Sequence, residues 1–302
     1  VAGTRNRDDD VTPAAWKMNS QATPNPPVSL SAADDADSSR RAIRFALAAI
    51  FVAAIAVFGN SFNGDLIFDD LGWITNNPTI HHLWPLDNVL FPQHNGFDSG
   101  RPVLNLTLAI NYAISGNDPR SYHVVNIAIH ILAGWTLFGI VRRTLLTPAL
   151  RARFAAAATP LALAVTLLWL VHPLQTGSVS YVIQRTEALV GLFYLLTLYC
   201  VIRGAESDRP RRWYAAAVVA CFLGMGTKEV MATAPLVVLL YDRAFLAGSF
   251  SEAFRRRWGL YLAMAATWGV VVWCLVSTGY HSGSAGFGSF ATHKDLPLND
   301  KF

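Results

Sequence analysis

Phe62-Asn63-Gly64-Asp65-Leu66-Ile67-Phe68-Asp69-Asp70 opens the stretch on which the reading turns, and Ser121-Tyr122-His123-Val124-Val125-Asn126-Ile127-Ala128-Ile129-His130 closes it. Between them stand Arg101-Pro102 and an apolar run over 102–115 that carries Asn105, Thr107, Asn111 and Tyr112. On both sides the chain is apolar over lengths that suit lipid. A polar loop with paired carboxylates, directly after a first apolar span, points to a membrane protein that holds a functional loop at the membrane surface.

Composition supports this. The 302 residues are 53% apolar and only 15% charged, with a mean hydropathy of +0.33. Soluble domains carry about a quarter charged residues. The net charge of +4 is modest, and no basic face with interleaved aromatics is visible, which excludes nucleic acid as a partner. Cys200, Cys221 and Cys274 each fall within or at the end of an apolar run. That spacing excludes a disulfide framework and a zinc site and leaves packing as their role.

Seven apolar runs read as spans: 42–58, 122–141, 155–171, 186–202, 213–225, 230–246 and 260–277. The fifth and sixth are joined only by Thr227-Lys228-Glu229, which predicts a tight helical hairpin. The fold class is all-α, a polytopic transmembrane bundle with a large first outer loop over 60–120. Within that loop, 102–115 fits an interfacial or re-entrant helix. Pro102 suits its first turn, and Asn105-Leu106-Thr107 forms a glycosylation sequon inside it. Residues 1–41 are polar and aperiodic and read as a disordered cytoplasmic tail; 278–302 read as a flexible outer segment. A first residue other than Met, and an end without a closing feature, are expected of a fragment of a longer protein.

Arginine placement assigns the sides. One set of loops holds Arg40, Arg41 and Arg44, then Arg142, Arg143, Arg151 and Arg153, then Arg203, Arg209, Arg211 and Arg212, then Arg243, Arg255, Arg256 and Arg257. The opposite set holds Arg101, Arg120, Arg185, Lys228, Lys294 and Lys301. The richer set is cytoplasmic by the positive-inside rule. Asp69, Asp70, His172, Arg185, Glu187, Lys228 and Glu229 then all fall on the outer face.

Four groups on that face can carry chemistry. Asp69-Asp70 reads as a base near neutral pH, since a partly desolvated carboxylate pair raises one pKa; a helix cap is the other reading. His172-Pro173 ends one span, and Arg185 and Glu187 start the next. Ionisable groups at span edges are functional by default, or form a structural pair. Lys228 beside Glu229 suits a phosphate as a point charge, or a turn ion pair. His123, Asn126 and His130 share one helix face at i, i+3 and i+7, a polar seam more than a metal site. Arg101 is placed to meet an anion or the Asp pair.

These blocks, in this order, resemble a membrane glycosyltransferase family. Phe68-Asp69-Asp70, Arg101-Pro102-Val103-Leu104-Asn105-Leu106, Tyr122-His123-Val124-Val125-Asn126 with His130, His172-Pro173, Arg185-Thr186-Glu187 and Lys228-Glu229 are similar to the transmembrane and tetratricopeptide-repeat O-mannosyltransferases of the GT-C superfamily and their bacterial homologues. The resemblance covers about 42–275. It implies an inverting transfer from a polyprenyl-phosphate sugar, mannose-like, to an acceptor hydroxyl, with protein Ser or Thr favoured over a glycan or a lipid A-like acceptor, and with no metal or cofactor. It also implies an integral protein of the bacterial inner membrane or the endoplasmic reticulum. In that carry-over Asp69 is the base and Asp70 its partner. Arg185 and Lys228 meet the lipid phosphate, Glu187 and Glu229 orient them or the acceptor, and His172 shapes the site. The rival class is a transporter or flippase of lipid-linked sugars, which predicts broken mid-membrane helices and repeated halves.

Overall fold

The structure, a computed structural model, describes residues 30–92 and 100–277. Its helices in chain order are α1 Leu30–Phe58, α2 Leu86–Leu90, α3 Pro102–Ser115, α4 Pro119–Leu145, α5 Arg151–Phe154, α6 Ala158–Leu170, α7 Gln175–Ser180, α8 Arg185–Glu206, α9 Pro210–Met225, α10 Ala234–Tyr241, α11 Phe250–Ala266 and α12 Trp268–Ser277. Short 3-10 and π turns extend or join several of them, and no strand occurs among the described residues. The all-α reading holds.

The chain divides into two units, Val1–Arg41 and Ala42–Phe302. In the first, Leu30 to Arg41 is helical, with an Arg41–Asp37 ion pair of 3.0 Å at i, i+4 spacing. The helix thus begins twelve residues before the expected start of the first span. An Ala-rich run with acids preceding bases favours helix over coil. The disorder expected over 1–29, and the flexible segment over 278–302, lie outside the described residues. The packing and the site described below belong to the second unit.

Five helical segments are long and apolar enough to cross a membrane: Asp37–Asn63, Pro119–Leu145, Arg151–Leu170, Val182–Glu206 and Glu229–Ala247. At about 1.5 Å per residue, the 22 residues of α8 span roughly 33 Å against a hydrocarbon core of about 30 Å. The 16 residues of α9 reach only about 24 Å. The seventh expected span is two helices, with a break at Thr267 between α11 and α12. There the Thr267 hydroxyl bonds back to the Met264 carbonyl at 2.6 Å, a habit that bends helices.

α4 and α8 form the spine. α8 packs along α9 and α4, and α4 along α6. Small residues set these approaches: a Cβ on Gly134 would come 2.9 Å from Leu170, and one on Gly204 2.3 Å from the Tyr214 ring. The hairpin after α9 differs from the expectation. The chain turns at 226–228, winds as a 3-10 segment over Glu229–Thr233, and only then becomes α10, which packs on α8 and α11. Met231 presses on Gly224, where a Cβ would lie 2.6 Å from its sulfur, so the tight partner of α9 is the 3-10 turn.

Three apolar clusters fill the interior. The one beneath the long loop joins Ile74, Ile80, Val89, Leu104 and Leu108 to Tyr122, Val182 and Leu189. The loop is therefore a packed layer over the ends of α4 and α8. α3 belongs to it: Asn105 is buried, and its amide donates to the Val89 carbonyl at 2.6 Å and the Thr79 hydroxyl at 3.2 Å. A sequon asparagine held this way is closed to modification.

Candidate active site

The Asp69-Asp70 turn is built from its own backbone. Phe68 takes a left-handed φ of +48°, and the Asp70 N–H bonds to the Ile67 carbonyl at 2.9 Å. The turn sends the two carboxylates in different directions. Asp70 is 1% exposed. Its Oδ1 accepts from the Ile183 N–H at 2.8 Å and its Oδ2 from the Ile67 N–H at 3.2 Å. Burial raises its pKa, against the lowering effect of those donors and of His123 nearby. Asp69 is exposed, and its N–H donates to the Tyr181 hydroxyl oxygen at 3.1 Å. Burial and the two neighbouring acids push the Tyr181 phenol up, so it keeps a proton to donate. Asp70 thus fastens the loop to the entrance of α8, while Asp69 stays exposed beside the Tyr181 hydroxyl.

Arg185, the first residue of α8, has no exposed surface. Its Nε donates to Asn126 Oδ1 at 2.7 Å and its Nη2 to Asn111 Oδ1 at 2.8 Å. The carbonyls of Thr107 and Tyr122 accept at 3.3 and 3.2 Å. A guanidinium suits such divergent neutral acceptors because its donors form a rigid fork. The expected phosphate contact does not fit this placement, since the cation is enclosed between α3, α4 and α8.

The seam on α4 is buried throughout, but its members do not bond to one another. Asn126 donates to the carbonyls of Val179 and Val182, at 3.3 and 3.2 Å. His130 Nε2 lies 2.9 Å from the Leu170 carbonyl. His123 packs near Gly64, where a Cβ would lie 3.3 Å from Nε2, and neither of its ring nitrogens has a hydrogen-bond partner among the described residues. His172 is exposed, and its Nδ1 accepts from the Leu174 N–H at 3.2 Å. It shapes the turn into α7.

The remaining charges form a second group. Lys228 is ion-paired with Glu187, both partly exposed, and Glu229 is exposed beside them. The Thr186 hydroxyl donates to the Thr227 carbonyl at 3.3 Å, fixing this turn to α8. The Val103 N–H donates to the Gly226 carbonyl at 3.0 Å, which brings the start of α3, with the half-buried Arg101, against the same turn. Both groups therefore lie where α3, α4, α8 and the end of α9 meet.

Four residues that the structure makes important had no role readable in the sequence. Tyr181 and Asn111 were visible only as polar residues in apolar surroundings. Gly226 was visible as half of a Gly-Met-Gly pair. Phe68 entered only as the first residue of the Phe68-Asp69-Asp70 block; its backbone conformation could not be read, because it depends on bonds made by residues on both sides of it.

The segment 98–275, more than half of the chain, matches the family model described as dolichyl-phosphate-mannose-protein mannosyltransferase. The chain belongs to this family. The match includes Arg101, His172, Arg185, Glu187, Lys228 and Glu229 and starts after the Asp pair. This mannosyltransferase-family chain is similar to protein O-mannosyl-transferase TMTC4 of Homo sapiens, at 34% identity over 49% of this chain and 22% of the relative. It is similar to Tmtc1 of Drosophila melanogaster at 30% identity over 65% and 22%, and to TMTC2 of Mus musculus at 28% over 62% and 23%. It thus spans less than a quarter of the length of these relatives. No solved structure matches it significantly.

Proposed function

We propose that the protein is the membrane part of a glycosyltransferase that moves a mannose-like sugar from a polyprenyl-phosphate donor to an acceptor hydroxyl, favouring Ser or Thr of a protein, on the outer or lumenal face. The observation that carries this is the division of labour at the Asp pair: one carboxylate is buried and bonded, its neighbour is exposed and held in place through its own backbone. Family membership and the relatives' names as protein O-mannosyl-transferases support the reading.

In this reading Asp69 accepts the proton of the acceptor hydroxyl. The oxygen attacks the anomeric carbon from the face opposite the phosphate. The bond between that carbon and the phosphate oxygen breaks, its electron pair stays with the lipid phosphate, and the configuration inverts. The base and the leaving group must therefore lie on opposite sides of the sugar; Asp69 bonds to Tyr181 just before α8, and Lys228 pairs with Glu187 in its first turn. Lys228 balances charge that grows on the phosphate, Glu187 holds the ammonium ready, and Arg101 approaches from α3. Arg185 and Asp70 position these groups without touching substrate. Lys228–Glu187 is a partly exposed pair, worth less than about 1 kcal/mol to stability, so its value lies in the charge it presents.

The test is transfer of label from radioactive polyprenyl-phosphate mannose to an acceptor peptide by the full-length protein in membranes. Asp69→Asn is expected to lose at least about a hundredfold in rate, as for loss of a general base. Its melting temperature should hold, since an exposed substitution shifts stability by roughly 0.5 kcal/mol or less. Transfer that survives Asp69→Asn overturns the assignment of the base.

A further inference from the structure

Among the described residues, Phe68 is the one non-glycine residue with a positive φ. A bulky side chain is disfavoured there, where glycine or asparagine is at ease. The ring also stands 82% exposed, so burial does not offset the conformational cost. The turn is enforced from both sides by the Asp70–Ile67 bonds and by the Tyr181 hydroxyl under Asp69. A strained residue held by its surroundings is a reason to look for function. Ile67 and Leu71 are further exposed apolar groups next to it, and Asp65 and Asp69 in the same segment are exposed too.

We propose that Phe68 is a specificity-determining residue, an aromatic platform for an apolar side chain next to the acceptor hydroxyl of a polypeptide. This rests on the reading of Asp69 as the base. A hydroxyl bonded to Asp69 sits about 3 Å from the carboxylate. The next residue of an extended acceptor lies about 3.8 Å further on, which puts its side chain within reach of the ring. The exposed Asp65 and Asp69, three residues before and one after Phe68, favour a peptide with a basic residue nearby. They oppose insertion of the ring into lipid, which would drag both acids toward hydrocarbon.

The experiment uses the full-length protein in lipid nanodiscs and two synthetic peptides that differ only beside a central threonine, leucine in one and glycine in the other. Binding is read by photo-crosslinking without donor, and KM for peptide and for polyprenyl-phosphate mannose is read during turnover. The leucine peptide should bind about tenfold more tightly to the unmodified protein, equivalent to about 1.4 kcal/mol. Phe68→Asn, which suits the left-handed turn, should reduce the preference to near parity with little change in the donor KM. Phe68→Leu should restore part of it. Equal binding of both peptides to unmodified protein and Phe68→Asn overturns the proposal, as does a rise in the donor KM alone, which marks a lipid contact. Crosslinking does not depend on turnover. A failure of Asp69 as the base therefore appears separately, as transfer that survives Asp69→Asn while the peptide preference stays intact.

Discussion

Asp69 and Asp70 are adjacent in sequence and opposite in circumstance. Burial raises the Asp70 carboxyl above the ordinary carboxylate range, in spite of its donors from Ile183 and Ile67 and nearby His123. The sign follows from linkage. Well below about pH 4 the group is neutral in both folded and unfolded chains; as pH rises from the unfolded value through the raised folded one, the unfolded chain gives up its proton first and the folded state loses stability. Asp70→Asn cannot ionise, so this decline should vanish. One of the two N–H acceptors is lost as well, a loss of about 1–3 kcal/mol at every pH. Thermal unfolding from about pH 4 to pH 7 tests this: the unmodified protein should lose ground relative to Asp70→Asn as pH climbs, and parallel curves contradict it. The acidic pair was readable as an anomaly of composition. Which acid faces outward was not, because that is decided by the amide of Ile183, more than a hundred residues away. Arg185 shows the same limit. A cation at a span edge reads as a ligand group, and only the convergence of Asn111, Asn126 and two carbonyls turns it into an internal brace.

The elements were readable wherever apolar length alone decides them, as in α4 and α8. They were misread where backbone chemistry intervenes. The Thr227-Lys228-Glu229 turn continues as a 3-10 segment, and the last apolar run breaks at Thr267. The turn after α9 also explains why a glycine sits at 226. Its carbonyl accepts from Val103, and a Cβ there would stand 2.9 Å from the Val103 side chain and 3.4 Å from Pro102. Gly226→Ala must push the start of α3, and Arg101 with it, away from Lys228. Overpacking of this kind costs about 1–3 kcal/mol. The expected outcome is a lower melting temperature together with a raised KM for polyprenyl-phosphate mannose. A variant with unchanged kinetics would show that α3 plays no part in holding the donor.

Across the molecule, two buried polar anchors stand at opposite ends of the α8–α9 pair. Arg185 braces the end that carries the candidate site. At the other end Asp242 has no exposed surface. Arg257 Nη1 lies 2.6 and 2.8 Å from its two oxygens, Arg257 Nε donates to Tyr214 at 2.9 Å, and Tyr261 donates to Asp242. This cluster ties α9, α11 and the turn after α10, and α11 departs from helical geometry at Arg257 to reach it. The arginine count used Arg257 only as a marker of side. A buried pair is often no more stabilising than apolar residues of the same volume, but removing one partner strands the other charge at about 3–5 kcal/mol. Asp242→Asn should therefore lower stability by that order, while Asp242→Leu with Arg257→Met recovers much of it. Because the cluster is a bundle length away from Asp69 and Lys228, kcat/KM at a temperature where each variant stays folded should match the unmodified protein. Chemical denaturation of the three proteins, paired with the transfer assay, separates the two ends. A kinetic defect in Asp242→Asn at full folding would mean that the two anchors are coupled through α8 and α9 and that the bundle does not hold its site as a rigid frame.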